Sequence, residues 1–520
     1  MRNRPVIRPM SARDRPHPDP EWLLVWAQPL LFAIGVVLQR WYDFAASSEA
    51  LPRPLLIVAV VAVLMTAVAW LTTRSAIWGP VIASLAVLML LGQSLPAAVL
   101  AAVVVWWLAV RALRRRAHSP PPPLVIPRLA TRAAAYFSLA FAALMVVQWW
   151  AVSTDVPVAK TPHLHVAASM GGPNVYLVLL DGYPRADTLR ETFAFDNSPF
   201  LASLRELGFQ VKPDALSNYN KTWLTLASML NGSYVDDLLA TEEAWPNDPR
   251  IELRWLHSLI KRATMLDLFR ASGYSVETIV PPFTTAELDT ADVVHDSGYL
   301  NEFEIQLVRS SPISRLIPET IGRALVQNHE QRIRDSLMEL AEISQNATGM
   351  PRIVIAHIHS PHTPFALPDG GSGEAAVPKC FPETCSLSNS TMEDLGLQFE
   401  EFRGPFLAQL QELNSELLIA IDEVVSADPE AVIVLFSDHG ARYSLRDLDE
   451  HFRILMATRS RGVRDLLGED ASPVNILRVI VDTYLGREVA PLPYEGWLGD
   501  WLTYLEVRRY VPAALPKDGA

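Results

Sequence analysis

The sequence predicts an α/β domain built on a mostly parallel central sheet flanked by helices, preceded by an N-terminal bundle of five membrane-spanning helices. Three observations predict it. Val175–Leu180 is an unbroken run of Val, Leu and one Tyr, the pattern of a short strand buried on both faces. A second such run, 431–436 (AVIVLF), lies far downstream, and both stop at polar residues suited to a metal. The first stops at Asp181-Gly182 and the second at Ser437-Asp438-His439-Gly440. Finally, nearly all the long apolar stretches lie before residue 153.

Open α/β sheets place their ligands beyond the C-terminal ends of buried strands, where Asp181 falls, and Gly182 lets the chain turn there. A single Asp-Gly reads equally well as a turn. Two buried strands that each end in ligand-type residues point to one metal site between them.

The apolar stretches are 22–39, 54–72, 77–91, 96–113 and 133–151. Each is near the ~20 residues needed to cross a bilayer, the third being the shortest. Their recurrence does not fit a single cleaved signal peptide. Arg2, Arg4, Arg8, Arg13 and Arg15 precede the first span. Arg74 follows the second, and Arg114, Arg115, Arg116, Arg128 and Arg132 follow the fourth. The opposite loops carry Arg40 and Arg53. The positive-inside rule therefore puts residues 1–21 in the cytoplasm and everything after the fifth span on the outer side. The prolines at 120–123 form a stiff connector, and Trp149 and Trp150 suit an outer aromatic belt.

Residues 22–152 thus read as the membrane domain, 153–171 as a linker with Pro157 and Pro162, and 172–520 as the outer domain. The net charge of −13 argues against nucleic acid. Cys380 and Cys385, close together on an exported domain, favour a small disulfide loop. A metal clip is the rival reading, with no second pair to complete it.

Along the outer domain, helices are expected at 199–207, 222–230, 315–344, 405–425 and 474–484, with strands near 210 and at 275–280, 352–357 and 452–457. Pro405 would stand at the first helical position. The tail from Pro491 should pack back onto the domain. Thr222 opens its helix, where free N–H groups and the positive dipole end favour an anion, so it is the candidate nucleophile. On local sequence alone an ordinary helix cap is the stronger reading. The run at 352–357 leads into His357, His359 and His362. His357 keeps the strand's alternation and reads as a supporting core residue. His362 lies between prolines in an irregular segment and is the better site candidate.

The ordered set NVYLVLLDG, SNYNKTWLTLASMLNG, HSPHTPF and LFSDHG resembles the alkaline phosphatase superfamily, sulfatase-like branch, over about residues 172–485. The resemblance implies one divalent cation, zinc or manganese, held by Asp181, Thr222, Asp438 and His439. Five spans before such a domain also resemble membrane-anchored phosphoethanolamine transferases and lipoteichoic acid synthases. It implies transfer of a phospho-headgroup from a membrane phospholipid to an envelope glycan or lipid through phospho-Thr222, outside the bacterial cytoplasmic membrane. The alternative is a metal-dependent phosphate or sulfate ester hydrolase. His362 and Lys221 would assist catalysis, and Asn218, His359 and His451 would contact substrate. Sulfatases carry an oxidised Cys or Ser where Thr222 stands and an Arg where Leu226 stands. Threonine cannot become their aldehyde by the same chemistry.

Overall fold

The computed structural model describes residues 20–92, 125–154, 172–239, 248–346, 349–367, 391–500 and 503–513. The chain forms two compact units, Met1–Arg40 with Leu51–Ala151 and Trp41–Ala50 with Val152–Ala520. Cys380 and Cys385 lie outside the described residues.

Three described helical stretches are long and apolar enough to cross a membrane: Glu21–Phe44, Ser48–Thr73 and Thr131–Val152. Leu56, Ile57, Val63, Leu64 and Val68 of the second are exposed, as expected of a helix apolar all round that meets lipid. The expected third span is a 13-residue helix, Trp78–Leu90, about 20 Å long at 1.5 Å per residue. That falls short of a hydrocarbon core of about 30 Å. The run at 96–113 lies outside the described residues. Three described helices, rather than five, therefore reach spanning length.

The second unit is built on a seven-stranded sheet ordered β2-β7-β6-β1-β5-β3-β4. The strands are β1 (Val175–Leu180), β2 (Gln210–Val211), β3 (Ser275–Ile279), β4 (Val293–His295), β5 (Arg352–Ile358), β6 (Val432–Phe436) and β7 (Met456–Arg459). β1 pairs in parallel with β5 on one side and β6 on the other, and β3 and β4 continue in parallel. β7 pairs antiparallel with β6, and β2 pairs antiparallel with β7. Every β1 side chain is buried, and the two faces feed different cores. Val175, Leu177 and Leu179 pack under the Thr222–Asn231 and Pro473–Leu485 helices. Tyr176, Val178 and Leu180 pack with the Pro318–Gln345 and Phe399–Ala427 helices. This two-sided burial is why the strand reads as a continuous apolar run.

Two expected boundaries moved. The helix expected to open at Pro405 begins at Phe399, and Pro405 lies inside it. Gln398 and Glu401 cap the true start reciprocally, satisfying the first N–H groups six residues earlier. The strand expected at 452–457 runs Met456–Arg459, because Arg453 and Ile454 instead bridge to Leu216 and Pro184. The tail adds a two-stranded sheet, β8 (Trp497–Gly499) and β9 (Val507–Arg509).

The sheet edge carries a titratable clamp. His295 on β4 meets Glu277 of β3 at 3.1 Å and Glu339 of the Pro318–Gln345 helix at 2.8 Å, one carboxylate per ring nitrogen. Both nitrogens can donate only in the imidazolium, and the Glu277 hydrogen bond raises the His295 pKa. The clamp's stability is complete below the unfolded value of about 6.5 and is lost as pH rises through the higher folded value. The thermal midpoint of the wild type should exceed that of His295→Gln most at about pH 5.5, with the gap closing toward about pH 8.5. A gap that does not change with pH would refute the charged clamp.

Candidate functional site

β1, β5 and β6 are neighbours, so their C-terminal ends bring Asp181, the His359–His362 segment and Asp438-His439 together. The Asp181 N–H continues the ladder to the Ile358 carbonyl, and the His362 N–H donates to the Asp181 carbonyl at 3.1 Å. Gly182 has φ +70°, and a Cβ there would meet His439 Cε1 at 3.2 Å and His362 Cδ2 at 3.7 Å. Glycine is required both by the turn and by the approach of the two rings.

Asp181 and Asp438 are fully buried, and His439 is 1 % exposed. His439 Nε2 lies 3.3 Å from Asp181 Oδ1 and 3.4 Å from Asp438 Oδ2. None of these three atoms has a protein hydrogen-bond partner among the described residues. The other sides of the same groups are occupied. Asp438 Oδ1 accepts from the Gly182 N–H at 3.2 Å, and Asp181 Oδ2 lies 3.0 Å from His357 Nε2. His439 Nδ1 lies 2.8 Å from the Gly440 carbonyl, to which it donates. In the neutral ring, Nε2 then turns a lone pair toward two carboxylate oxygens. A cation among the three atoms would meet all of them, and a carboxylate–carboxylate–imidazole donor set fits a divalent cation. Asp181, His362 and His439 also offer ligand atoms within 4.8 Å of one another.

Burial alone would raise the Asp181 pKa, but the surrounding His362, His357 and His439 imidazoles hold its carboxyl well below the usual range. Burial pushes His362 down to about 4 against the pull of Asp181. His362 is therefore neutral at neutral pH. Its Nδ1 donates to the Thr363 carbonyl at 2.8 Å, leaving Nε2 to accept from Arg442 Nη2 at 3.0 Å.

Thr222 is the first residue of the Thr222–Asn231 helix and is 3 % exposed. The hydroxyls of Ser217 and Thr225, on either side of it in sequence, both donate to the Asp438 carbonyl, the latter at 2.9 Å. The helix start is thereby fastened to the strand end that carries the carboxylate.

The remaining sequence candidates divide. His359 is buried, 3.9 Å from Asp181 Oδ2, with its ring 4.5 Å from Phe283 and 5.0 Å from His329. His357 supports Asp181 from behind, as its place in the strand suggested. The Lys221 ammonium donates to the Asp500 carbonyl and lies 5.7 and 5.8 Å from the Trp223 and Tyr504 ring centres, and burial lowers its pKa to about 7. Asn218 is occupied in the fold: its Oδ1 accepts from the Val474 N–H at 2.9 Å and its Nδ2 donates to the Glu495 carbonyl at 3.1 Å. His451 is buried with its Nε2 on the Ser444 carbonyl at 2.9 Å, and its own carbonyl holds the Gly440 N–H.

Sequence reasoning missed two residues. Arg442 stands three positions after His439, and a charged residue so near the Asp438-His439 pair was a usable signal. His329 lies in mid-helix and carried none. Beside His362, His439 and Arg442 lies a small cleft walled by Phe365, Phe402, Phe406 and Tyr443.

No protein-family model and no curated protein matches the chain. Solved structures do. The C-terminal periplasmic domain of EcEptC from Escherichia coli matches at 13% identity and a TM-score of 0.41, over 68% of this chain and 96% of that one. The same domain has also been solved in complex with Zn. The lipooligosaccharide phosphoethanolamine transferase A (EptA) from Neisseria meningitidis matches at 12% identity and a TM-score of 0.35, over 90% and 84%. BT1596, a 2-O GAG sulfatase, matches at 12% and 0.39, over 64% and 79%. The matches described here are thus to phosphoethanolamine transferases and a sulfatase. At these identities and superpositions the residue roles rest on the geometry described above.

Zinc titrated into the apoprotein should bind and raise its thermal midpoint. Asp438→Asn should abolish that rise, and His357→Ala should weaken zinc roughly 10- to 100-fold by loosening Asp181. Equal zinc affinity in wild type and Asp438→Asn would show that the cation sits elsewhere.

Proposed function

We propose that the chain is a membrane-anchored, metal-dependent transferase that moves a phospho-headgroup from a lipid donor to an envelope acceptor through a phospho-Thr222 intermediate. One observation carries the reading. Asp181 Oδ1, Asp438 Oδ2 and His439 Nε2 converge, buried and without protein partners, next to a helix start tied to Asp438 through Thr225. Asp181, Asp438, His439 and the Thr222 hydroxyl would hold zinc or manganese. When bound, such a cation lowers the pKa of a hydroxyl it touches and polarises phosphoryl oxygens.

Thr222 Oγ1 forms a bond to phosphorus as the donor's alcohol leaves with its oxygen and takes up a proton. An acceptor hydroxyl then attacks the phospho-threonine, loses its proton and returns Thr222 to its starting form. The dipole of the Thr222–Asn231 helix favours the phosphate charge at its first residue.

Transfer is favoured over hydrolysis by the wall of the cleft. Phe365, Phe402, Phe406 and Tyr443 suit an apolar substituent better than a column of water. The apolar N-terminal helices agree with this. The full expectation is five spans in a bacterial cytoplasmic membrane, the N-terminus inside, and residues from 172 on the outer face. There a phospholipid donor and a glycan or lipid acceptor are at high local concentration.

The full-length protein in detergent, loaded with zinc or manganese and given mixed phospholipids, should gain mass that Thr222→Ala does not. The added mass identifies the transferred group. Metal-dependent cleavage of a generic phosphodiester that survives Thr222→Ala, with no adduct on the wild type, would instead establish a hydrolase that does not use Thr222.

A further inference from the structure

We propose that Ile313, Leu316 and Ile317 form an apolar knob that rests in the lipid surface beside the N-terminal helices. The knob gives the second unit a point of contact with the bilayer, and it rests on the reading of those helices as membrane spans. The three side chains are 41, 79 and 47 % exposed. Among the described residues from 172 on, they are three of the ten exposed large apolar side chains, gathered into five positions. Positions i, i+3 and i+4 share one face of a helical turn. Single exposed apolar side chains need no explanation, whereas a cluster of them marks a binding surface.

The knob is held in shape by its own backbone. Ser311 caps the Pro312–Leu316 helix by accepting from the Ile313 N–H at 3.4 Å, and the buried Ser314 hydroxyl donates to the Val308 carbonyl. The Ile317 N–H donates to the Ile313 carbonyl at 3.0 Å, and Pro318 opens the next helix, Pro318–Gln345, directly after it. Ser314 thus fixes the inward face of the turn and the three apolar side chains stand outward. Arg315 is exposed among them. A guanidinium beside an apolar face suits lipid phosphates, at the level where that face meets the acyl chains.

Lipid is the occupant because of what stands next to the knob. The Glu21–Phe44 and Ser48–Thr73 stretches, each long enough to span, are separated by three residues. Three residues reach at most about 10 Å, so a link this short between two spanning helices lies at the membrane surface. Residues 41–50, which contain the link, pack as part of the second unit. Arg254 donates to the carbonyls of Ala46 at 3.2 Å, Trp41 at 3.3 Å and Tyr42 at 3.4 Å, and its guanidinium lies 4.0 Å from the Trp41 ring centre. Lys261 pairs with Glu49 at 2.9 Å. The Phe44 ring centre is 6.3 Å from that of Phe303. Phe303 belongs to the nine-residue helix Glu302–Ser310, about 13 Å long at 1.5 Å per residue, and Ser311 joins that helix directly to the knob. The exposed apolar face therefore stands close to the level at which the helices leave the bilayer, where acyl chains can cover it.

The test uses the full-length protein in vesicles of phosphatidylethanolamine and phosphatidylglycerol that contain a phospholipid with a diazirine near the head of one acyl chain. On irradiation, lipid adducts should form both in residues 56–71 and in residues 312–318. The double variant Leu316→Ser with Ile317→Ser should lose adducts in 312–318 roughly tenfold or more, the order of the partition lost with two aliphatic side chains. Its adducts in 56–71 and its thermal midpoint should match the wild type. Wild-type adducts in 56–71 with none in 312–318 would overturn the knob and keep the membrane reading. Adducts in neither would remove the membrane reading and the knob with it. Hydroxyl-radical labelling in the same vesicles separates the other occupants. A knob shielded from radicals yet free of lipid adducts is covered by protein, either a second copy or another stretch of this chain, and that outcome also overturns the assignment.

Discussion

The constraint on which the second unit depends is electrostatic. Two fully buried carboxylates, Asp181 and Asp438, and the imidazole of His439 face one another at the ends of adjacent parallel strands. Like charges in a low-dielectric interior repel strongly unless a cation or specific donors compensate them. The surroundings supply donors to every oxygen except the inward pair: the Gly182 N–H for one carboxylate, His357 for the other. Gly182 exists as glycine because its φ and the two neighbouring rings leave no alternative. The arrangement resembles a socket whose outer faces are closed and whose inner faces await positive charge.

The second theme is how a polar loop is made rigid. Residues 217–222 present Thr222, and few of their groups are left to chance. Ser217 and Thr225 hold the Asp438 carbonyl, Tyr494 holds the Ser217 carbonyl, and the Trp497 N–H meets the Asn218 carbonyl. Gly499 and Arg442 take the two oxygens of Asn220. A reacting group placed within a fraction of an ångström needs supporting contacts of this kind. The C-terminal tail, which looks peripheral in sequence, provides half of them.

The correspondence between sequence and structure follows the range of the forces involved. β1 and β6 were legible because burial on both faces writes an unbroken apolar run, and their polar stops marked the site. Asn218 read as a substrate contact, and Lys221 as an aid to catalysis, because polarity beside a helix start suits an anion. In the fold, partners more than 250 residues away, Val474 for one and Asp500 for the other, occupy their polar heads. Pro405 read as a helix start because proline favours that place, yet capping by Gln398 and Glu401 moved the start upstream. The expected third membrane span shows the same limit, since an apolar run sets hydropathy and not the number of residues that become helical.

By itself the sequence determined the layered α/β architecture, the apolar N-terminal helices and three ligand-type residues, Asp181, Asp438 and His439. Each of these is encoded in local periodicity or in a run's abrupt end, which a chain carries within a few residues. Only the tertiary structure decided that His362 would accept from Arg442, that His357 would back Asp181, and that Asn220 would be turned by Gly499. These contacts join residues 80, 176 and 279 positions apart. Their geometry comes from the order of strands in the sheet, which no local pattern states.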